Sequence, residues 1–203
     1  MLYQVTWLGV RIGTPNAAGT VGAWVRDAGL KGRFLACWQS EFGVLNQVLV
    51  LQGYEDAAAL AEDRERIAQS DERYGIGDGL QSIATASCRP MDLFGPLQPG
   101  EVGPIFEVRS YVLRAGALPE MMERWGRVLP GRMAYSKPLI VMHTMDGTGP
   151  RLIHIWPYAS IEERERIRSE AAKAGVWPVK GAPGSLLSQQ SEIFVPGPVS
   201  PIR

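Results

Sequence analysis

The sequence predicts an α+β protein built from two tandem β-α-β-β-α-β repeats. Three observations carry this reading. One strand–corner–helix unit occurs twice: Arg151–Trp156 alternates like a half-buried strand, Tyr158 stands at the corner, and Ser160 opens a helix, with Glu163 placed to complete a capping box. Earlier, Gln47–Gln52, Tyr54 and the N-cap Asp56 repeat the plan, with the two tyrosines 104 residues apart. The hairpins ahead of these corners align without a gap, from Leu35/Leu139 through Gly43/Gly147 to Tyr54/Tyr158. Between the halves, residues 92–103 (DLFGPLQPGEVG) hold two prolines and three glycines and read as a linker.

In chain order, Leu2–Val10 reads as a strand. Thr14-Pro15 reads as a helix start, with the helix running to Ala28 and Gly29 stopping it. Phe34–Ser40 and Asn46–Gly53 form a hairpin about Gly43. A helix follows Asp56 to Gln69, an irregular glycine-rich loop covers Ser70–Gly79, and Leu80–Cys88 is a strand. The order then repeats. Ile105–Leu113 is a strand, and Leu118–Met133 is a helix that Pro119 starts and Pro130 interrupts or ends. Leu139–Met145 and Arg151–Trp156 are the second hairpin, closing near Pro157 because proline donates no ladder hydrogen bond. Ser160–Ala174 is a helix and Leu186–Val195 the last strand. The expected organisation is a first ferredoxin-like repeat over 1–91, the linker 92–103, a second repeat over 104–196, and a loose tail over 197–203.

Composition narrows the function classes. Twenty-one Lys+Arg balance 21 Asp+Glu, which argues against nucleic acid or an anionic membrane as main partner. No apolar run approaches the ~20 residues that span a bilayer, so no transmembrane segment is expected. The start, MLYQVTWLGVRIG, lacks the features of a secretory signal. Cys37 and Cys88 therefore read as reduced, buried residues in a cytoplasmic protein.

Particular segments resemble the NIPSNAP family. Phe106–Leu113 (FEVRSYVL) is similar to its opening strand, with Glu, Arg and Tyr alternating, and Ala115-Gly116 follows where a turn stands. The stretch from His154 through Trp156-Pro157-Tyr158 to Arg164 resembles its strand-to-helix signature, and Trp38–Asn46 its hairpin motif. The first repeat departs by carrying Gln4, Thr6 and Leu8 where the Glu-Arg-Tyr face would stand. The second hairpin departs by carrying Met142, Asp146 and Pro150 in place of Trp38, Phe42 and Asn46. The resemblance implies an α+β barrel, in which the open sheet faces of two repeats pack together. It implies little about activity. Animal members are tied to mitochondria and vesicle traffic, and relatives of the same barrel include cofactor-independent monooxygenases, isomerases and haem-binding enzymes.

Candidate site residues come from the second hairpin. A turn centred between Thr148 and Gly149 sets His143 opposite His154 and Val141 opposite Trp156, all on one face. The other face, Ile140, Met142, Thr144, Ile153 and Ile155, is aliphatic and is expected under the helices. The histidine face is then expected to line the barrel interior, joined by Glu107, Arg109, Tyr111 and Tyr158, with Gln39 and Gln52 as first-repeat equivalents. Three roles fit this set: a hydrogen-bonded structural lining, a pocket for a small aromatic or carboxylate ligand, or a two-His-one-carboxylate centre. The Gly-rich run 74–79 follows a helix, not a strand, so it is not read as a phosphate loop. The charged run Glu162–Arg166 reads as a solvated helix face.

Two functions follow. One is binding of a small hydrophobic or aromatic molecule inside the barrel, with cofactor-free oxidation or isomerisation as the associated chemistry. The other is a non-enzymatic interaction or scaffold protein with a filled barrel. No cofactor and no metal are expected, and a homo-oligomer is.

Overall fold

The computed structural model describes residues 1–179 and 183–203. Its elements are β1 (Leu2–Val10), α1 (Ala17–Asp27), β2 (Arg33–Phe42), β3 (Gln47–Tyr54), α2 (Ala57–Gln69), β4 (Leu80–Pro90), β5 (Ile105–Leu113), α3 (Leu118–Met133), β6 (Ile140–Thr144), β7 (Arg151–Tyr158), α4 (Ile161–Lys173) and β8 (Leu186–Pro196). The strands close into one barrel in the order β1-β3-β2-β8-β5-β7-β6-β4. Each repeat thus contributes a four-stranded antiparallel sheet in ferredoxin-like order. The seams are β2–β8 and β4–β6. The ring closes within one chain, but the seams are short: β4 meets β6 only from Cys88 to Pro90 and β8 meets β2 only from Ile193 to Pro196, so the exposed first halves of β4 and β8 each pair on one side.

Local signals explain most element ends. Asp56 accepts from the Ala59 amide at 2.9 Å and caps α2. Ser160 accepts from the Glu163 amide at 3.1 Å, and Glu163 accepts in return from the Ala159 amide at 2.6 Å. The first helix begins later than Thr14-Pro15 implies. Its N-cap is Asn16, in the left-handed region at φ 47°, with no side-chain cap. Pro130 does not end α3, which continues through it to Met133. β7 ends one residue past Pro157, at Tyr158, with Pro157 opposite Phe106. The 70–79 loop is ordered into two short 3-10 turns, with Tyr74 buried.

The barrel interior is lined by an apolar core, and the faces are reversed from the sequence expectation. One cluster draws a buried residue from every strand and none from any helix: among them Tyr3, Val5, Leu51, Ala86, Phe106, Met142, Ile153, Ile155 and Phe194. That cluster is the interior. The aliphatic face of the second hairpin therefore points inward, and the face carrying His154 and Trp156 packs under α3 and α4. The physical reason is burial on both sides. The inside of an eight-stranded barrel is narrow enough for apolar side chains to meet across it, so the aliphatic face belongs there, while the mixed face meets helices that supply arginines to pair with its polar groups. Trp38 stacks on Phe106 across the interior at 4.1 Å, joining the two repeats, an arrangement worth about 0.5–1.5 kcal/mol beyond area burial.

The tail at 197–203 is not loose. Ile202 is fully buried, its amide donates to the Leu35 carbonyl at 2.9 Å, and its own carbonyl accepts from the Trp38 indole at 3.0 Å. Gly100 forms a parallel bridge with Ile202. Leu97, from the same connecting segment, is buried and donates its amide to the Tyr3 hydroxyl at 3.0 Å. Both segments cap the barrel mouth, because an apolar interior left open at its end would expose Trp38 and Tyr3 to water.

Candidate functional site

Polar chemistry concentrates outside the barrel wall, between the second sheet and α3 and α4. β5 pairs with β7 so that Glu107 faces Trp156 and Arg109 faces His154, while on its other side Arg109 faces Ser191 and Tyr111 faces Gln189. Alternation puts all of these on the helix side. Glu107 is fully buried. Its Oε1 accepts from Arg109 Nη1 at 2.8 Å, Arg164 Nη2 at 2.6 Å and Ser191 Oγ at 2.6 Å. Arg168 Nη1 stands 3.9 Å from Oε2, which accepts no hydrogen bond. Burial pushes the Glu107 carboxyl up, but Arg164, Arg109 and Ser191 overcome this and hold it at about 2. A carboxylate held there is a poor proton acceptor at neutral pH and serves to position the arginines.

His154 lies at the centre of an aromatic box and is fully buried. The Trp156 indole donates to its Nδ1 at 2.6 Å. Tyr111 meets it edge-on with ring centroids 4.7 Å apart, and Trp125 lies tilted against it at 4.6 Å. Burial, then the positive charge of Arg109, drives its basicity well below the ordinary value, so the ring is neutral. With Nδ1 occupied as an acceptor, the proton sits on Nε2, which has no partner. Arg132 lies over Trp156 at 4.5 Å and reaches the Tyr158 hydroxyl at 3.4 Å. A cleft of about 210 Å³ opens beside this box, lined by Arg109, Tyr111, Trp125, Arg168 and Trp177 among others.

The nine residues singled out from sequence are placed unevenly. Glu107, Arg109, Tyr111, His154, Trp156 and Tyr158 come together on the helix side of the second repeat, and of these Arg109 and Tyr111 line the cleft. His143 does not face His154. The register pairs Val141 with His154 and His143 with Leu152, so the turn is centred one residue earlier than expected, between Gly147 and Thr148. His143 instead stands beside Arg89 of β4, and burial and that arginine lower its basicity. A two-His-one-carboxylate centre is therefore not assembled, and among the described residues no cluster of three His, Cys, Asp or Glu side chains forms. Gln39 and Gln52 lie on the helix side of the first sheet, away from the second cleft.

Sequence reasoning missed Trp125, Arg132, Arg164, Arg168 and Trp177. A signal existed for Trp125: Met121, Trp125 and Leu129 repeat every four residues, an apolar stripe that α3 buries. The charged run on α4 misled. Arg164 and Arg168 share one helix face four apart, and that face turns to Glu107 instead of solvent. Nothing local marks Trp177, which follows α4.

Comparison with known proteins then settles the family. The NIPSNAP family model matches residues 18–74 and 106–201, three quarters of the chain. The chain belongs to the NIPSNAP family. A NipSnap homologue from Dictyostelium discoideum is 31% identical over 94 residues, 45% of this chain and 42% of that protein. NipSnap homologue 2 from Mus musculus is 25% identical over 173 residues, 82% of this chain and 62% of that protein. The chain thus spans less than two thirds of the length of these NIPSNAP relatives. Among solved structures, an anthrone oxidase-like protein superposes with a TM-score of 0.64 at 14% identity, covering 96% of this chain and 90% of that one. That likeness is one of fold. No helix of the described residues is long and apolar enough to cross a membrane.

Proposed function

We propose that this NIPSNAP protein binds a small aromatic anion in the cleft of its second repeat, outside the barrel. The observation that carries the reading is the charge count around Glu107: three guanidinium groups, from Arg109, Arg164 and Arg168, converge on one carboxylate. Two of them, Arg109 and Arg168, also line the cleft, so an anionic ligand meets uncompensated positive charge. Tyr111, Trp125 and Trp177 supply flat apolar walls. A cleft of about 210 Å³ is small beside the roughly 300–1,000 Å³ of drug-sized sites and suits one or two rings.

Where the bound molecule is a phenol or an enolisable ketone, the same arginines favour its anion, the form that oxygen attacks without a cofactor. The anthrone oxidase-like fold neighbour supports this class of chemistry by analogy of fold alone. A cytoplasmic setting is supported by the two free, buried thiols. A homo-oligomer is compatible with the one-sided first halves of β4 and β8, whose outer edges pair with no other strand of the described residues.

Isothermal titration with 2-naphthoate tests the reading. Wild-type protein binds it, the neutral 2-naphthamide binds more weakly, and Arg168→Gln loses about ten- to a hundredfold, as expected for one charge-assisted hydrogen bond. Equal affinity of wild type and Arg168→Gln would overturn it. Arg168 is partly exposed, so the variant keeps the fold.

A further inference from the structure

We infer that the first repeat holds a second, separate site, one for a neutral aromatic carbonyl compound. The starting point is a position-for-position match. Gln4 is the third residue of β1 as Glu107 is of β5, and Arg64 occupies the place in α2 that Arg168 occupies in α4. The contacts match too. Arg64 Nε donates to Gln4 Oε1 at 2.7 Å, as Arg168 approaches Glu107. A cleft of about 340 Å³ opens at this place, lined by Gln4, Trp24, Arg64, Ile67, Tyr74 and Ile83 among others.

Two buried donors at this place lack acceptors. Arg64 spends Nε on Gln4 and Nη1 on Asp146, 2.9 Å away, while its Nη2 is buried with no partner. Gln52 stands directly opposite Gln4 in the β1–β3 ladder, is 1% exposed, and its amide Nε2 is likewise unpartnered. Buried N–H groups without acceptors are costly, and native structures rarely leave two together. Of the two, Arg64 lines the cleft, and a carbonyl oxygen on a ligand would give its Nη2 an acceptor.

Charge decides the ligand class. Gln4 is neutral where Glu107 is charged. Arg64 is neutralised by Asp146, and the other cation of the cleft, Arg73, is paired with Asp78 at 2.6 Å. No positive excess remains to hold an anion, in contrast to the second repeat. The walls favour an aromatic body: Tyr74 packs on Trp24 with ring centroids 5.0 Å apart, and the Trp24 indole is held by Glu72. Arg73 and Tyr74 are both in the left-handed region, at φ 47° and 55°. That conformation is unfavourable for either residue, and it is what turns the Tyr74 ring inward onto Trp24. The duplication has therefore yielded two clefts of one layout and opposite charge preference.

The test is a titration of protein labelled with ¹⁵N in its tryptophan indoles, using 2-acetylnaphthalene as the neutral probe and 2-naphthoate as the anionic one. The neutral probe should shift Trp24 and leave Trp125 and Trp177 in place. Arg64→Lys keeps a cation beside Asp146 but removes the unpartnered Nη2 donor, and should bind the neutral probe about tenfold more weakly. Ala68→Trp, on the exposed rim of the same cleft, should abolish the Trp24 shift by filling the space. An unmoved Trp24, unchanged affinity in both variants, or a stronger Trp24 response to naphthoate than to the ketone would each overturn the inference. None of these readings depends on whether the second-repeat cleft binds anything.

Discussion

The indole of Trp156 donates a 2.6 Å hydrogen bond to Nδ1 of His154, two residues away on the same face of β7. That bond fixes the tautomer of a buried, neutral histidine and ties it to the aromatic box of the second repeat. Its consequence for stability has a definite sign. The folded state holds His154 well below its ordinary basicity, so the unfolded chain binds the extra proton first. Stability from this group is complete above about pH 6.5 and falls as the pH drops below it. Urea unfolding measured from pH 7.5 to 5 should show that loss in wild type and show less of it in His154→Gln, the remainder coming from His143, whose basicity is also lowered. Identical profiles would contradict the buried neutral state.

Glu107 gives a second acid step, lower and larger. Its folded carboxyl is held at about 2 against an ordinary value of 4.5, a difference worth about 3 kcal/mol. That contribution is present above pH 4.5 and lost as the pH falls towards 2. At pH 7, Glu107→Gln leaves three arginines facing a neutral amide and should destabilise by about 3–5 kcal/mol in urea unfolding. A loss under about 1 kcal/mol would mean that the arginines are free to turn to water.

The capped barrel mouth predicts a cost at the far end of the chain. Ile202 is fully buried against the interior cluster, so Ile202→Ala should cost about 2–5 kcal/mol in thermal or urea unfolding. Deleting residues 199–203 should cost at least as much, since it also removes the acceptor of the Trp38 indole. A neutral deletion would show that the tail only rests on the surface.

The sequence revealed the repeated element order and the caps at Asp56 and Ser160, because these depend on local chemistry that alternation and spacing record. It misjudged which face of the second hairpin turns inward. Ile140, Met142, Ile153 and Ile155 mark a dry face, and both the barrel interior and a helix interface are dry. The choice depends on what the helices bring, and Arg164 looked solvated within the charged run Glu162–Arg166. The one-residue error in the turn arose from the two glycines flanking Thr148, each at positive φ, which leave the turn centre ambiguous in sequence. Tail burial was invisible because a single isoleucine after a proline carries no periodic signal.

The measurement that tests the central claim most directly is where an aromatic anion lands. With the six indole resonances assigned, titration of 2-naphthoate should move Trp125 and Trp177, which line the second cleft, and leave Trp38, stacked inside the barrel on Phe106, where it is. A shift at Trp38 with Trp125 and Trp177 unmoved would place the ligand inside the barrel and contradict the account.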